Sequence, residues 1–494
     1  MFDPLLSSLH QVVQPNAILM LLLGNVIGLI FGVLPGLGGS IAMALLIPIT
    51  IGMNPHAAMV LLVSIMGGVP VGGSISAIIL NVPGTPVNAA TCFDGFPMTR
   101  RGEGAKAIGI SACASGLGAI VGVVVLIFTI PLARLLIFSF TPPEFFMLTI
   151  FGLTTIAAVS TSNMIKGLIA AGAGMMLAFF GFDPITGTQR FTFGISYLWD
   201  GFILIPFLIG IFAIAEVINF YVEGGSIAHV TKIKHKWRDV FEGVMAVFQH
   251  KVCFLRSSII GTVIGAIPGV GGAVANFLAY SAAVQSSPHP ERFGTGEIEG
   301  IIAPEAANNS KDGGALIPTI AFGIPGSAET VVLLGGLLFH GLVPGPLMFK
   351  ENMDLIWTLI FTLVFSNILA SGLAILFANT LTRLTLIKVH WIIPIVLILT
   401  LVGAYGVREN PGDIFVAVIF GIVGYAMIRF HYPRVSVVIA LVLGKMAETS
   451  FHQTLMISQG SYLYFLSRPI SFILFILTIF SLIFPFIKKR KKVR

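Results

Sequence analysis

Two short stretches, Pro35-Gly36-Leu37-Gly38-Gly39 and Pro268-Gly269-Val270-Gly271-Gly272, interrupt otherwise apolar sequence with the same spacing. Proline lacks a backbone N–H, and each glycine weakens a helix by about 1 kcal/mol. Four such residues in five cannot continue a helix, so the spacing predicts opened backbone. Within a bilayer, opened backbone is tolerated only where protein or water covers it. A helix that restarts after the break presents free N–H groups and partial positive charge, which suits an anion. The carbonyls released at the break suit Na⁺. The pattern thus offers two chemistries without a charged side chain.

A second kind of interruption follows each of the first. Residues 72–86 read GGSISAIILNVPGTP and residues 313–328 read GGALIPTIAFGIPGSA. Both give Gly-Gly, an apolar run, then Pro-Gly and a hydroxyl residue. Hydroxyls and amides near such breaks suit carboxylate recognition in an apolar setting. The candidate substrate-binding residues are therefore Gly36, Gly38, Gly39, Ser40, Gly84, Thr85, Asn88, Gly269, Gly271, Gly272, Asn276, Gly326, Ser327 and Lys311. Asn81, Thr319 and Glu329 are the candidate ion-coupling residues, and Thr330 adds a hydroxyl beside them. The plainer alternative is that the glycines only let helices approach closely. Two copies of both motifs in the same order favour the opened backbone. Lys311 reads as a counter-ion for substrate or, beside Asp312, as a solvated loop charge. Glu329 reads as an intramembrane carboxylate or as an exposed tip residue. Leucine at Gly269 or Gly326 is expected to abolish transport while leaving assembly intact.

The elements that must hold these residues are membrane helices. The chain has 494 residues, of which 56% are hydrophobic and 10% charged, with mean hydropathy +0.97. A soluble domain carries about 25% charged residues. Between Asp3 and Asp94 there is no Asp, Glu, Lys or Arg. The expected fold class is all-α: a polytopic membrane protein of two inverted repeats with broken or re-entrant helices, roughly 11–14 membrane elements. The first repeat covers residues 1–221, a cytoplasmic connecting segment 222–251, the second repeat 252–487 and a basic cytoplasmic tail 488–494. Short basic loops mark the cytoplasmic side. Lys232, Lys234, Lys236 and Arg238 place the connecting segment there. Arg100, Arg101 and Lys106 follow the first Pro-Gly-Thr element, whereas residues 349–354 carry no excess of positive charge. Later loops reverse the bias, with Arg383, Lys388, Arg429 and Arg434 in the second half. That reversal is what inverted topology predicts, with the N-terminus outside and the C-terminus cytoplasmic. Residues 196–212 align with 461–477, and the span near 435–456 has no clear counterpart in the first half.

Other chemistries find no support. The chain has no GxxxxGK[ST] and no HExxH, and its net charge of +7 sits in a few loops and the tail rather than in a nucleic-acid-binding pattern. Cys92, Cys113 and Cys253 lack paired spacing. Glu448 and His452 share one helical face and read as packing rather than metal ligands. Glu216 reads as an interfacial charge near the end of a span. No cofactor is expected beyond Na⁺ or H⁺ as coupling ion.

The stretches GVLPGLGG, GAIPGVGGAVANFLAYSAA, GIIAPEAANNSKDGGALIPTIAFGIPGSAE and ISQGSY together resemble the large membrane subunit of tripartite tricarboxylate transporters, the TctA-type family. The likeness extends over almost the whole chain. It implies a bacterial inner-membrane importer of citrate-like di- and tricarboxylates, driven by an ion gradient. It also implies a small membrane subunit of about four spans and a periplasmic solute-binding protein as partners. The resemblance puts both Gly-Pro motifs and their Asn, Ser and Thr neighbours on the transport pathway. A secondary transporter with elevator-like motion, in a lipid bilayer and with a homodimer as one open assembly, is the leading expectation. A passive channel for small organic anions is the alternative. A membrane enzyme would need an acid–base cluster at membrane depth, which the charge-free stretch between Asp3 and Asp94 and the scattered histidines do not supply.

Overall fold

The structure, a computed structural model, describes residues 2–159, 164–183, 185–223, 237–384 and 389–491. Lys232, Lys234 and Lys236 of the connecting segment, Lys388 and tail residues 492–494 lie outside the described residues. The protein is an all-α polytopic membrane protein. Among the described residues, the one sheet is a two-residue antiparallel pair, β1 (Gly181–Phe182) with β2 (Gln189–Arg190).

The first half runs through α1 (Phe2–Val12), α2 (Pro15–Val33), α3 (Gly39–Leu46), α4 (Pro55–Leu80), α5 (Cys92–Arg100) and α6 (Gly104–Ser139). It continues through α7 (Pro142–Val159), α8 (Met164–Ala178) and α9 (Leu204–Leu208), which passes by a π-turn into α10 (Ala215–Glu223). The second half comprises α11 (Trp237–Gln249), α12 (Lys251–Gly265), α13 (Gly272–Ser286), α14 (Glu299–Phe322), α15 (Ala328–Phe339) and α16 (Pro346–Glu351). It ends with α17 (Met353–Leu384), α18 (Val389–Gly406), α19 (Pro411–Arg429), α20 (Arg434–Ile457), α21 (Tyr464–Ser467) and α22 (Pro469–Lys491). Seven helices are long and apolar enough to cross a membrane, and five shorter apolar helices accompany them among the described residues.

Local chemistry sets the helix starts. Proline opens α2, α4 and α19, where its missing N–H costs nothing. Asn54 and Asn410 cap α4 and α19 by accepting from the N–H groups of His56 and Gly412, at 2.9 and 2.8 Å. Small residues then set the packing. A Cβ at Gly24, Gly28 or Gly32 of α2 would stand 2.2–2.7 Å from a carbonyl oxygen of α4. Gly261 and Gly265 of α12 meet α14 in the same way, at 2.5 and 2.2 Å. The plainer reading of the glycines therefore holds for these flanking positions.

α14 is the centre of the molecule. It packs on α6, α12 and α13, and α4 packs correspondingly on α17 and α2. Nearly every side chain of α14 is buried, including Glu305, Asn308, Asn309, Lys311 and Asp312. α20 covers α7 and α8, while α19 lies along the π-turn segment and α10. The halves interlock rather than stand apart. Arg190 grips Glu448 with two bonds of 2.5 and 3.0 Å. Arg434 reaches Glu216 at 2.5 Å, and Arg468 pairs with the buried Glu144. Glu216, read from the sequence as an interfacial charge, is thus an inter-half ion-pair partner, and Glu448 is held by an arginine rather than by packing alone.

The turn into α14 is tied to the first half by Asp94. Its buried Oδ1 accepts from the backbone N–H groups of Gly294, Gly296 and Glu297, each at 2.8 Å, and Tyr280 donates to Oδ2 at 2.9 Å. Asp94→Ala strands three N–H groups at once. At about 1 kcal/mol or more each, the loss is expected to exceed about 3 kcal/mol. A lowered thermal midpoint and new protease cleavage within residues 287–298 are the expected readouts. An unchanged midpoint would show that the anchor does not matter.

Candidate functional site

Each predicted interruption is a real break in the helical backbone. α2 stops at Val33 and α3 starts at Gly39, with Gly36 at φ +84° between them. α12 stops at Gly265 and α13 starts at Gly272, with Gly269 at φ +74° and Gly271 at φ +78°. Only glycine enters that region without strain. α4 ends at Asn81, held left-handed at φ 56°, and α14 ends at Gly323, φ +67°. The chain then turns through Pro83-Gly84-Thr85 in the first half and Pro325-Gly326-Ser327 in the second.

The breaks meet across the halves. The Gly36 N–H donates to the Gly84 carbonyl at 3.2 Å, so the two first-half breaks touch. A Cβ on Gly38 would lie 3.7 Å from the Thr85 methyl, and one on Gly39 would lie 3.1 Å from Cγ of Glu329. The start of α3 therefore faces the first turn of α15. Reciprocally, a Cβ on Gly272 would lie 2.2 Å from Cε of Lys311 and 2.7 Å from Val87. Asn276 donates from Nδ2 to the Val87 carbonyl at 2.6 Å, while its Oδ1 has no partner. Glu329 is close enough to interact electrostatically with both Lys311 and Asp312.

α3 and α13 restart after the N-cap residues Gly38 and Gly271, neither with a side-chain cap. α15 is closed instead: Ser327 and Thr330 form a reciprocal capping box. Thr85 donates to Asn88 Oδ1 at 2.6 Å. Backbone N–H groups at the starts of α3 and α13 are thus free for an anion, each start carrying about half a positive charge.

Lys311 is 2% exposed and bonds Asp312 Oδ1 at 2.6 Å, so it is no solvated loop charge. The second oxygen of Asp312 has no partner. Glu329 is half-buried at the junction, not an exposed tip. Other expected residues have structural work. Gly84 and Gly326 are pressed against the carbonyls of Gly32 and Gly265. Thr319 donates back to the Ala315 carbonyl at 2.6 Å. Asn81 is exposed beyond the end of α4, and Ser40 is half-buried in the first turn of α3.

The sequence reading assigned no role to a second polar centre next to this one. Glu305 of α14 is wholly buried and is surrounded by the hydroxyls of Ser74, Thr91, Ser111 and Ser115. Its only sequence signal is an acid inside an apolar run, IIAPEAA, with two serines four residues apart in another apolar helix.

A model of the tripartite tricarboxylate transporter TctA family matches residues 18–439, which include all the breaks. The chain belongs to the TctA family. Two Agrobacterium vitis proteins are similar to it. An uncharacterized 52.8 kDa protein in the TAR-I ttuC' 3' region is 29% identical over 460 residues, covering 92% of this chain and 90% of that protein. A protein in the TAR-II ttuC' 3' region is 29% identical over 211 residues, 43% of this chain and 87% of its own length. No solved structure matches. TctA proteins are the large subunits of tripartite tricarboxylate transporters, so this chain is a multi-pass membrane transporter subunit.

Proposed function

We propose that this TctA-family subunit is the translocating unit of an importer that moves di- or tricarboxylates inward against their gradient, coupled to Na⁺ or H⁺. A periplasmic binding protein delivers the substrate, a small membrane subunit completes the complex, and the inner bacterial membrane is its site. The observation that carries this reading is the meeting of the breaks, with the open starts of α3 and α13 and the Lys311 ammonium brought to one locus. Backbone dipoles of that kind bind carboxylates without reorganisation.

Charge at the centre favours cation coupling. Lys311 is one cation beside two carboxylates, Asp312 and Glu329. Two carboxylates against one ammonium leave little side-chain charge to hold an anion that enters alone. A cation that enters with it supplies that charge, which is what coupling requires.

Matched packing supports the inverted repeat. α4 lies on α17 as α14 lies on α6, and α1 lies on α17 as α11 lies on α6. α20 on α7 and α8 matches the segment α9–α10 with α18 and α19. In that scheme the span 434–457 has its counterpart in 204–223, α22 is the additional helix, and 196–212 is not paired with 461–477. Two crossed pairs of breaks enclosed by packed helices suit an elevator-like motion, with the N-terminus outside and the tail cytoplasmic.

Proteoliposomes containing the chain with its two partner subunits provide the test. Labelled citrate or another di- or tricarboxylate is expected to accumulate above the external concentration under an inward Na⁺ or H⁺ gradient. Uptake that only equilibrates, whatever gradient is imposed, would assign a passive channel.

A further inference from the structure

We propose that Glu305 and the hydroxyls around it form a Na⁺ site, separate from the locus where the breaks meet and wired to it. Ser74 Oγ stands 2.7 Å from each carboxylate oxygen. Thr91 Oγ1 lies 2.5 Å from Oε1, and Ser111 and Ser115 lie 3.0 and 2.7 Å from Oε2. These groups come from α4, the turn before α5, α6 and α14, and each of the five residues is at most 3% exposed. Among the described residues, no Lys, Arg or His pairs with Glu305. A buried carboxylate without a cation is costly.

The donor set points to a metal cation. Four hydroxyl oxygens from α4, the turn before α5 and α6 converge on one carboxylate, which brings six oxygens together at one buried point. Carboxylate and hydroxyl oxygens are hard ligands of the kind that alkali and alkaline-earth cations take. One carboxylate neutralises a single charge, so a monovalent ion leaves the buried cage uncharged where a divalent one would not. One turn further along α14, Asn308 is wholly buried with both amide atoms unpartnered, giving a further neutral oxygen beside the cage.

The wiring runs through Asn88. Its Nδ2 donates to Ser74 Oγ at 2.9 Å and to the Pro70 carbonyl at 2.9 Å, and its Oδ1 accepts from Thr85. Thr85 adjoins Gly84, whose carbonyl holds the Gly36 N–H. A cation that draws in Ser74 therefore acts on the turn against which the start of α3 rests. This coupling role rests on the transporter reading, whereas Na⁺ binding at the cage does not.

Thermal unfolding of the full chain in detergent tests the site without substrate or partners. NaCl is varied against choline chloride at constant ionic strength. Na⁺ is expected to raise the midpoint saturably, because a ligand that binds only the folded state stabilises it. Glu305→Gln, which keeps the side chain's shape, should abolish the shift. Ser115→Ala and Thr91→Val should weaken apparent Na⁺ affinity at least about tenfold, and they serve as the test if Glu305→Gln does not fold. A Na⁺ shift retained in these variants, or equalled by choline, would overturn the proposal. So would a Na⁺-independent stabilisation on acidification that Glu305→Gln removes, since that would place a proton there. Loss of carboxylate accumulation with the Na⁺ shift intact would count against the transport reading and leave the site standing.

Discussion

Alanine at Gly84 should prevent assembly of the protein, not merely slow transport. A Cβ there would lie 1.9 Å from the Gly32 carbonyl oxygen and 2.6 Å from the Gly73 Cα. Both are backbone atoms of tightly packed helices, and neither can swing aside as a side-chain tip can. Overpacking in such a place costs about 1–3 kcal/mol in an ordinary core, and two backbone collisions put Gly84→Ala beyond the top of that range. Size-exclusion profiles of membrane extracts should show little monodisperse protein. Gly326 is in the corresponding position, with a Cβ falling 2.6 Å from the Gly265 carbonyl oxygen and 2.9 Å from the Ala315 Cα. Leucine at Gly326 is therefore expected to disturb assembly, contrary to the expectation from sequence alone. Gly271 is the cleaner probe. Nothing lies within 4 Å of its added Cβ, so Gly271→Ala meets no collision and only the cost of its φ +78°, ψ 157° backbone, a region almost confined to glycine, about 1–3 kcal/mol. It should assemble and lose uptake, because it alters the open start of α13. Full uptake by Gly271→Ala would remove that start from the pathway.

Lys311→Met should destabilise the protein by about 3–5 kcal/mol, the usual cost of leaving one member of a buried ion pair alone. Asp312 is 0% exposed, and Lys311 is the one side chain that hydrogen-bonds its carboxylate among the described residues. Its other oxygen is already unpartnered. The double variant Lys311→Met, Asp312→Asn removes both charges and should recover most of the lost stability. The pair separates two roles. If Lys311 only neutralises Asp312, the double variant transports. If its ammonium also meets the substrate, the double variant is stable and inactive. Thermal midpoints and uptake rates on the same preparations decide between them.

The two predictions differ in how visible they were. That Pro83-Gly84 and Pro325-Gly326 break helices is a property of the residues themselves. A missing N–H and a glycine free to adopt positive φ act wherever they stand. The same holds for the membrane class, which follows from 56% hydrophobic and 10% charged residues. The residues at the breaks could be named in advance for that reason.

What the breaks face is a different matter. α14 carries Glu299, Glu305, Lys311 and Asp312, and it is absent from the helices apolar enough to count as spans. It is nevertheless almost wholly enclosed, because α4, α6, α12 and α13 shield it from lipid. Hydropathy measures what a helix would expose to the bilayer, and α14 exposes almost nothing. The partners of its polar groups lie far along the chain: Glu305 is 231 residues from Ser74 and 190 from Ser115. The sequence by itself determined a membrane protein with four helix breaks and the polar residues that mark them, since each follows from local backbone chemistry. Only the tertiary structure decided that Lys311 is paired, that Gly39 faces Glu329 and that Glu305 is caged. Burial and partnership are set by packing between distant segments, which no local pattern encodes.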